Sequence, residues 1–368
     1  MPLVPTELRP GGGRSELPWP RGESAASRAV NDEAGQAPLP APLELGFVNN
    51  MPDAALEATE RQFLSLIEAG AGPIDVRVHF FALADVPHDG RAERHLALCY
   101  DDLDALVRST LDAVIITGNE PKAARLSDEP YWGSLARLFD WAESHTLSAL
   151  FSCLGAHAAV LHFDGIERLR LAQKCSGVFD HASARYHPLT TGLADPWPVA
   201  HSRWNGLPEP ALRAAGYTVL SRSEQAGVNL FVRQRQSLLV LLQGHPEYDA
   251  DSLFREYRRD VRRYLAGEQS VWPGIPVGCF DAGTTAALET FRAAARERRD
   301  PDLMAGFPER AGTDRSRLSG ARQGATRLFG NWLRTITEMK ARTHHVATLP
   351  GIAAERARRN DFRSLRSL

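Results

Sequence analysis

The first half of the chain alternates short apolar runs with amphipathic segments. The apolar runs have the length of buried strands: LELGFV from residue 43, IDVRVHFFAL at 74–83, LDAVIITG at 111–118 and LSALFS at 147–152. The segments between them, such as ALEATERQFLSLIEAG and YWGSLARLFDWAESH, place apolar residues three and four positions apart, which is typical of a helix with one buried face. This alternation predicts an α/β fold, in which helices on both faces cover a mainly parallel sheet.

The second half has shorter apolar runs that are separated by turn residues. It predicts short strands and loops in HPLTTGL, PVAHSRW, YTVLSRS, VNLFVRQ and SLLVLLQGHPEY, followed by a helix in DADSLFREYRRDVRRYLAG. Residues 268–330 mix proline and glycine turns with one helical segment, TTAALETFRAAARERR. The segment ATRLFGNWLRTITEMK predicts a last ordered helix that ends at residue 340.

The two ends of the chain have a different composition from the rest. Residues 1–40 contain seven prolines and five glycines with little periodicity, which predicts a disordered or loosely ordered extension. Residues 341–368 contain six arginines and two acidic residues. A solvated basic tail is favoured there over a nucleic-acid contact. We therefore expect a single α/β domain at 41–340 between these two segments.

Composition and charge exclude several classes of protein. The formal net charge is −2, so no strong field attracts nucleic acid or an anionic membrane. The four cysteines include no CxxC pair, which argues against a disulfide scaffold and a structural zinc site. No apolar run is long enough to cross a membrane or resembles a signal peptide, so we expect a cytoplasmic protein. Of the 43 basic residues only three are lysines, namely Lys122, Lys174 and Lys340.

The strongest local signal for chemistry is LSALFSCLGAHAAV at 147–160. An apolar strand leads into Cys153, which is followed by Gly155 and an alanine-rich helix, the pattern of a nucleophile on a strand-to-helix elbow. The N-terminus of that helix offers free N–H groups and a positive dipole end, which favour a thiolate and an oxyanion. The alternative is an ordinary buried cysteine that packs as a small apolar side chain.

A second signal is LLVLLQGHPEYD at 238–249, where an apolar strand ends in His245 and Glu247. Histidine is well suited to transfer a proton near neutral pH. Alternate residues of an extended segment point the same way, so Glu247 can orient the imidazole while its other nitrogen faces the thiol. Both signals lie at the carboxyl ends of strands, where active sites form in open α/β sheets. The alternative is a surface histidine beside a solvated glutamate.

Together these segments resemble one family of enzymes. The chain is similar to the homoserine O-acyltransferases (homoserine O-succinyltransferase, or transsuccinylase) over roughly residues 44–265 and again at 331–333. The matching segments are NNMPDAALEATERQF, IITG with YW downstream, FSCLGAHAA, KCSGVF, HSR, GHPEYD, FREYRRDV and NWL. The resemblance implies a class I glutamine-amidotransferase-like fold, with a flavodoxin-like three-layer architecture.

The resemblance also implies a mechanism and a set of site residues. Cys153 is the expected nucleophile of a ping-pong acyl transfer from acyl-CoA to an amino-acid hydroxyl, with His245 as general base and Glu247 orienting it. The backbone N–H groups of Leu154 and Asn119 are expected to hold the oxyanion. The expected substrate contacts are Lys174, Ser202, Arg203, Arg259 and Lys122. Neither a permanently bound cofactor nor a metal is expected, and the partners are small molecules with a possible homodimer.

Three departures from the family pattern leave the substrates open. The loop after IITG carries Lys122 at the position that sorts the acyl donor, and its ammonium would suit the distal carboxylate of a succinyl group better than an acetyl group. The segment MPDAALEATE lacks a lysine contact that is expected at that corner. Residues 268–330 diverge from the family's C-terminal segment. The acceptor is therefore homoserine or, as an alternative, serine in cysteine or secondary metabolism.

Two other functions remain open at this point. A glutamine amidohydrolase-like cysteine hydrolase would use the same fold and the same three side chains. A non-catalytic binding protein would keep the fold without a reactive thiol. The HSR and REYRRD segments favour the transferase.

Overall fold

The computed structural model describes residues 41–308 and 315–348. The helices are α1 (Asp53–Ala71), α2 (Gly90–Cys99), α3 (Leu103–Arg108), α4 (Trp132–His145), α5 (Leu154–Asp164), α6 (Glu209–Ala214), α7 (Ser252–Leu265), α8 (Ala282–Glu297) and α9 (Arg315–Thr348). The strands are β1 (Leu43–Val48), β2 (Val76–Phe81), β3 (Ala113–Ile116), β4 (Ser148–Ser152), β5 (Leu169–Ser183), β6 (Trp197–Gly206), β7 (Thr218–Val219), β8 (Ser221–Ser223), β9 (Gly227–Val228), β10 (Leu230–Gln234) and β11 (Leu238–Leu242).

A seven-stranded sheet forms the centre, in the order β2-β1-β3-β4-β11-β10-β7. The first five strands are parallel, while β10 and β7 each run antiparallel to their neighbour. Because β4 and β11 are parallel neighbours that pair Ser152 with Leu242, the residues that follow them meet at one edge of the sheet. The prediction of a mainly parallel sheet in an α/β fold is confirmed.

Helices pack on both faces of this sheet, as the apolar runs predicted. Along β3, Val114 and Ile116 enter one hydrophobic cluster, whereas Ala113 and Ile115 enter another on the opposite face. The first cluster includes residues of α4 and α5, and the second includes residues of α1 and α9. A strand that is buried on both faces has no polar alternation, which explains the uniform apolar character of these runs.

A smaller antiparallel sheet, in the order β6-β5-β8-β9, lies outside the central one. Its main part is the hairpin of β5 and β6, which pairs Cys175 with Arg203 and Ser176 with Ser202. The hairpin therefore brings KCSGVF and HSR together. The segment HPLTTGL, which the sequence placed among short strands and loops, contains a short 3-10 helix at Pro188–Thr190.

The C-terminal helix α9 is longer at both ends than the predicted helix, since it begins at Arg315 and continues past residue 340 to Thr348. The NWL segment of α9 forms hydrogen bonds that hold the helix against the rest of the domain. The Asn331 amide donates to the carbonyls of Leu189 and Thr191 at 3.0 and 2.8 Å, and Trp332 Nε1 donates to Ser148 Oγ at 2.9 Å. The predicted extension at 1–40 and the remainder of the basic tail lie outside the described residues, and within the described part no helix could span a membrane.

Candidate active site

Cys153 occupies a sharp turn between β4 and α5. Its φ of 49° lies in the left-handed region, where it is the one non-glycine residue among those described. Such a conformation costs on the order of 1–3 kcal/mol and persists only when the surrounding structure imposes it. Here the Cys153 N–H donates to Leu242 O at 2.8 Å, which ties the turn to the end of β11. The strand, elbow and helix lie where the sequence predicted them.

Two glycines allow the backbone around the elbow to pack closely. A Cβ at Gly155 would lie 2.9 Å from the Ile116 carbonyl oxygen, and a Cβ at Gly118 would lie 2.9 Å from the Leu154 nitrogen. The turn after β3 is therefore pressed against the first residue of α5. Since N–H groups in the first turn of a helix have no intrahelical acceptor, Leu154 offers a donor there. This placement is compatible with the predicted oxyanion role of the Leu154 and Asn119 N–H groups, which stays a prediction.

His245 and Glu247 stand beside the elbow, at the end of β11. The Nδ1 atom of His245 lies 2.8 Å from Glu247 Oε1, and both side chains are less than a tenth exposed. The backbone is fixed on both sides, because His245 N–H donates to Ala200 O at 2.8 Å and Gly244 N–H donates to the Asn229 side chain at 2.9 Å. The imidazole therefore has one fixed orientation, with Nδ1 on the carboxylate.

The protonation of His245 depends on the charged groups around its ring. Burial by itself would lower the pKa of His245, but the negative charges of Cys153 and Glu247 raise the pKa well above its ordinary value. Nε2 is buried without a well-aligned hydrogen bond among the described residues. Because Nδ1 is bonded to Glu247, Nε2 is the nitrogen of His245 that remains for a proton transfer with Cys153.

A partly buried carboxylate, Glu256, lies next to this histidine. Tyr248 stacks on the His245 ring with a centroid distance of 4.1 Å and an interplanar angle of 20°, and its hydroxyl donates to Glu256. Ser202 donates to the other oxygen of Glu256. Burial opposes ionisation, yet the charges of Lys174 and His245 and these two hydrogen bonds lower the pKa of Glu256. It is therefore a carboxylate near neutral pH.

A second carboxylate, Asp260, holds two of the predicted substrate-binding cations. Lys174 Nζ donates to one oxygen of Asp260 at 2.7 Å, and the Arg259 guanidinium donates to the other at 3.0 and 3.1 Å. Lys174 Nζ also lies 3.6 Å from Glu256. Lys174, Ser202 and Arg259 are thus brought together around one pair of acidic side chains on α7.

The other two predicted substrate contacts lie elsewhere. Arg203 is 7% exposed, and its guanidinium donates to His201 Nδ1 and to the carbonyls of Asn205 and Ala226. Its donors are therefore used within the protein, and a substrate contact by Arg203 stays a prediction. Lys122 is exposed, and its loop is held by Glu129, whose carboxylate accepts from the N–H groups of Lys122 and Ala123 at 2.6 Å each.

Comparison with known proteins decides the family. A family model for homoserine O-succinyltransferase matches residues 26–342. A homoserine O-succinyltransferase from Methylorubrum extorquens is 47% identical over 313 residues, which cover 85% of this chain and 93% of that protein. The chain belongs to the homoserine O-succinyltransferase family. Another member, from Rhodopseudomonas palustris, is 49% identical over 294 residues, which cover 79% of this chain and 87% of that protein.

Among solved structures, a glutamine amido transferase from Methylobacillus flagellatus matches with a TM-score of 0.47 and 14% identity, and the match covers 80% of this chain and 94% of that chain. The family assignment rests on the sequence relatives. It confirms the predicted resemblance and makes the protein a transferase.

Three residues that contact the predicted site residues were not singled out from the sequence: Tyr248, Glu256 and Asp260. A signal for the last two was present, because Glu256 and Asp260 are four residues apart in a predicted helix and so lie on one face. The structure also separates the arginines of that helix. Arg255 pairs with Asp249, Arg263 pairs with Glu120, and Arg259 lies beside Asp260.

Proposed function

We propose that this enzyme transfers a succinyl group from succinyl-CoA to the hydroxyl of homoserine through an acyl-Cys153 intermediate, in the first step of methionine biosynthesis from homoserine. The observation that carries the proposal is the position of Cys153, on an elbow at a helix N-terminus and beside the His245–Glu247 pair. The names of the relatives support the donor and the acceptor. Acyl-CoA is a co-substrate in this proposal, and the enzyme works in the cytoplasm.

The first half-reaction uses the thiolate and the imidazolium. Sγ of Cys153 attacks the thioester carbonyl, and the oxyanion that forms accepts hydrogen bonds from the N–H groups of Leu154 and Asn119. When the tetrahedral intermediate collapses, the bond between the carbonyl carbon and the CoA sulfur breaks. The leaving CoA thiolate takes the proton from Nε2 of His245. The products are a thioester on Cys153, free CoA and a neutral imidazole.

The second half-reaction reverses the proton transfer. Nε2 of His245 accepts the proton of the homoserine hydroxyl while its oxygen attacks the acyl-Cys153 carbonyl. The ester forms, the bond to Cys153 Sγ breaks, and the thiolate and imidazolium return. Glu247 stabilises the imidazolium of the free enzyme and the one that forms when the homoserine hydroxyl is deprotonated, which is consistent with the raised pKa of His245.

The amino-acid end of the acceptor fits the charges around α7. Its carboxylate suits the planar fork of Arg259, whose side chain is 42% exposed and free to accept a second partner beside Asp260. Its ammonium suits Glu256, a carboxylate that accepts from the hydroxyls of Ser202 and Tyr248 and lies 3.6 Å from Lys174 Nζ. Because Tyr248 also stacks on His245, an acceptor held at Glu256 would lie next to the general base.

A free-thiol assay that crosses two donors with two acceptors tests the proposal. We expect CoA release to be fastest with succinyl-CoA and homoserine, and slower by about tenfold or more with acetyl-CoA or with serine, which is one methylene shorter. Intact-mass analysis without acceptor should show one succinyl adduct on Cys153. Faster turnover of serine would reassign the acceptor. Ammonia release from glutamine without thioester turnover would favour a hydrolase instead.

Lys122 is proposed to select the acyl donor. Lys122 is exposed on the loop that follows β3, and Gly118 at the start of this loop packs against Leu154, the residue after Cys153. Lys122→Glu should therefore lower kcat/KM for succinyl-CoA by about tenfold or more, with a smaller effect on acetyl-CoA. Lys122→Gln is the neutral control and should give an intermediate loss. Equal losses for both donors would remove Lys122 from the donor site.

A further inference from the structure

A large cavity lies beside the catalytic residues, on the side of the sheet that carries α1 and α9. Its volume is about 820 Å³, within the range of about 300–1,000 Å³ that is typical of small-molecule sites. Residues of α1, β6, α7, α9 and the loop at 245–251 line it. His245 and Glu247 are among them, so the cavity opens from the catalytic pair.

Three helices each contribute an arginine to the cavity wall: Arg61 from α1, Arg255 from α7 and Arg322 from α9. Asp249 accepts from Arg255 at 2.9 Å and so fixes that guanidinium in place. Arg322 donates to the neutral Ser65 hydroxyl at 2.9 Å, and Arg61 lies 3.7 Å from Glu57. Glu247, Asp249 and Asp251 also line the cavity, and the charge of Asp249, which pairs with Arg255, also acts on Arg322. Among the described residues, no carboxylate lies within hydrogen-bond distance of the Arg61 or Arg322 guanidinium, and planar guanidinium groups are well suited to phosphate.

The inner part of the cavity has a different character. Trp197 is 2% exposed, and its Nε1–H has no acceptor among the described residues. Glu247 is 4% exposed, and its Oε2 has no donor there, although Oε1 is bonded to His245. Both residues line the cavity. Buried polar atoms of native proteins are normally paired, so these two atoms indicate a bound group that has both a hydrogen-bond acceptor and a donor.

We propose that this cavity binds the coenzyme A body of the acyl donor. The inference rests on the proposed function, in which His245 protonates the CoA thiolate and must therefore lie beside the sulfur. From there the pantetheine arm, with its two amides, would enter the cavity past Trp197 and Glu247. The phosphates would reach Arg61 and Arg322, while the acyl group points the other way, toward Lys122.

The test compares two donors that differ only in the nucleotide. Arg322→Gln and Arg61→Gln should each raise the KM for succinyl-CoA by about tenfold, and leave the KM for succinyl-pantetheine unchanged, because that donor has no phosphates. Arg137→Gln, an exposed arginine of α4 that pairs with Asp104, is the matched control and should change neither KM. Equal changes for both donors, or no change for succinyl-CoA, would overturn the proposal.

A binding measurement separates this inference from the proposed reaction. Adenosine 3′,5′-bisphosphate should bind the wild-type protein in a calorimetric titration, and Arg322→Gln should weaken it by about tenfold. Arg61→Gln repeats the test at a side chain that is 68% exposed, where folding is not at risk. If the wild-type protein transfers no acyl group but binds adenosine 3′,5′-bisphosphate more tightly than the arginine variants do, the proposed reaction is wrong and the proposed coenzyme A site is supported. Unchanged binding in both variants rejects the site.

Discussion

Replacing Cys153 with alanine is expected to abolish acyl transfer, with a fall in kcat of about four to six orders of magnitude. The thiol is the only group of the site that forms and breaks a bond to the acyl carbon in the proposed mechanism, so no neighbouring side chain can substitute for it. The fold should survive, because alanine and cysteine experience the same backbone strain at a φ of 49°.

Cys153→Gly separates catalysis from stability at the same position. Glycine adopts positive φ freely, so this variant should be as inactive as the alanine variant and more stable, by about 1 kcal/mol or more of unfolding free energy. Chemical denaturation measures the stability, and the free-thiol assay measures the activity. Cys99→Ala is the control and should keep full activity. Acyl transfer by the alanine variant at the wild-type rate would reject the acyl-enzyme scheme. If the protein were instead a binding protein without a reactive thiol, an alkylating reagent would not modify Cys153 faster than the other cysteines.

The second large effect is expected for Glu247→Gln, which should lower the rate of the acylation half-reaction by about two to four orders of magnitude. Glutamine keeps the shape and can still accept from Nδ1 of His245, but it removes the negative charge that stabilises the imidazolium. Since the charges of Cys153 and Glu247 together raise the pKa of His245, losing one of them moves that pKa downward.

The sign of the pH effect follows from the proton that His245 gives to the CoA thiolate. The imidazolium is present below its pKa and is lost as the pH rises through it, so the basic limb of the single-turnover acylation rate should move to lower pH in Glu247→Gln. Glu268→Gln, at a carboxylate that is 63% exposed, should leave both the rate and the pH profile unchanged. A basic limb that stays in place would show that Glu247 does not set the charge state of His245.

Much of the fold was accessible from local patterns. The runs LDAVIITG and LSALFS predicted β3 and β4, because strands that are buried on both faces need continuous apolar residues. The elbow was recognisable since Gly155 follows Cys153 at the point where an apolar run changes to a helical pattern. In contrast, α2 and the long strand β5 were not predicted, because α2 buries only Ala92 and most residues of β5 are not buried.

Local patterns did not predict the contacts between site residues that are distant in the sequence. Lys174 was singled out as a rare lysine, but its partner Asp260 lies 86 residues away and becomes visible only when α7 packs beside the β5–β6 hairpin. Lys340, which had no predicted role, donates to Asp112 at 2.6 Å and to the Pro42 carbonyl at 2.7 Å, joining α9 to the central sheet. Arg203 was expected to contact substrate because it adjoins Ser202, and only the structure shows that its guanidinium also donates to the carbonyls of Asn205 and Ala226.

The sequence by itself determined the parallel α/β core, the cysteine elbow and the His245–Glu247 pair, because hydrophobic period, turn residues and strand ends are local properties. Only the tertiary structure decided which arginine of α7 lies beside Asp260, which carboxylates receive the cations, and where a cavity opens next to His245. These depend on how helices and a hairpin that are distant in sequence pack together. That packing determines which side chains are buried and which charges pair. The sequence around a charged residue does not identify its ion-pair partner.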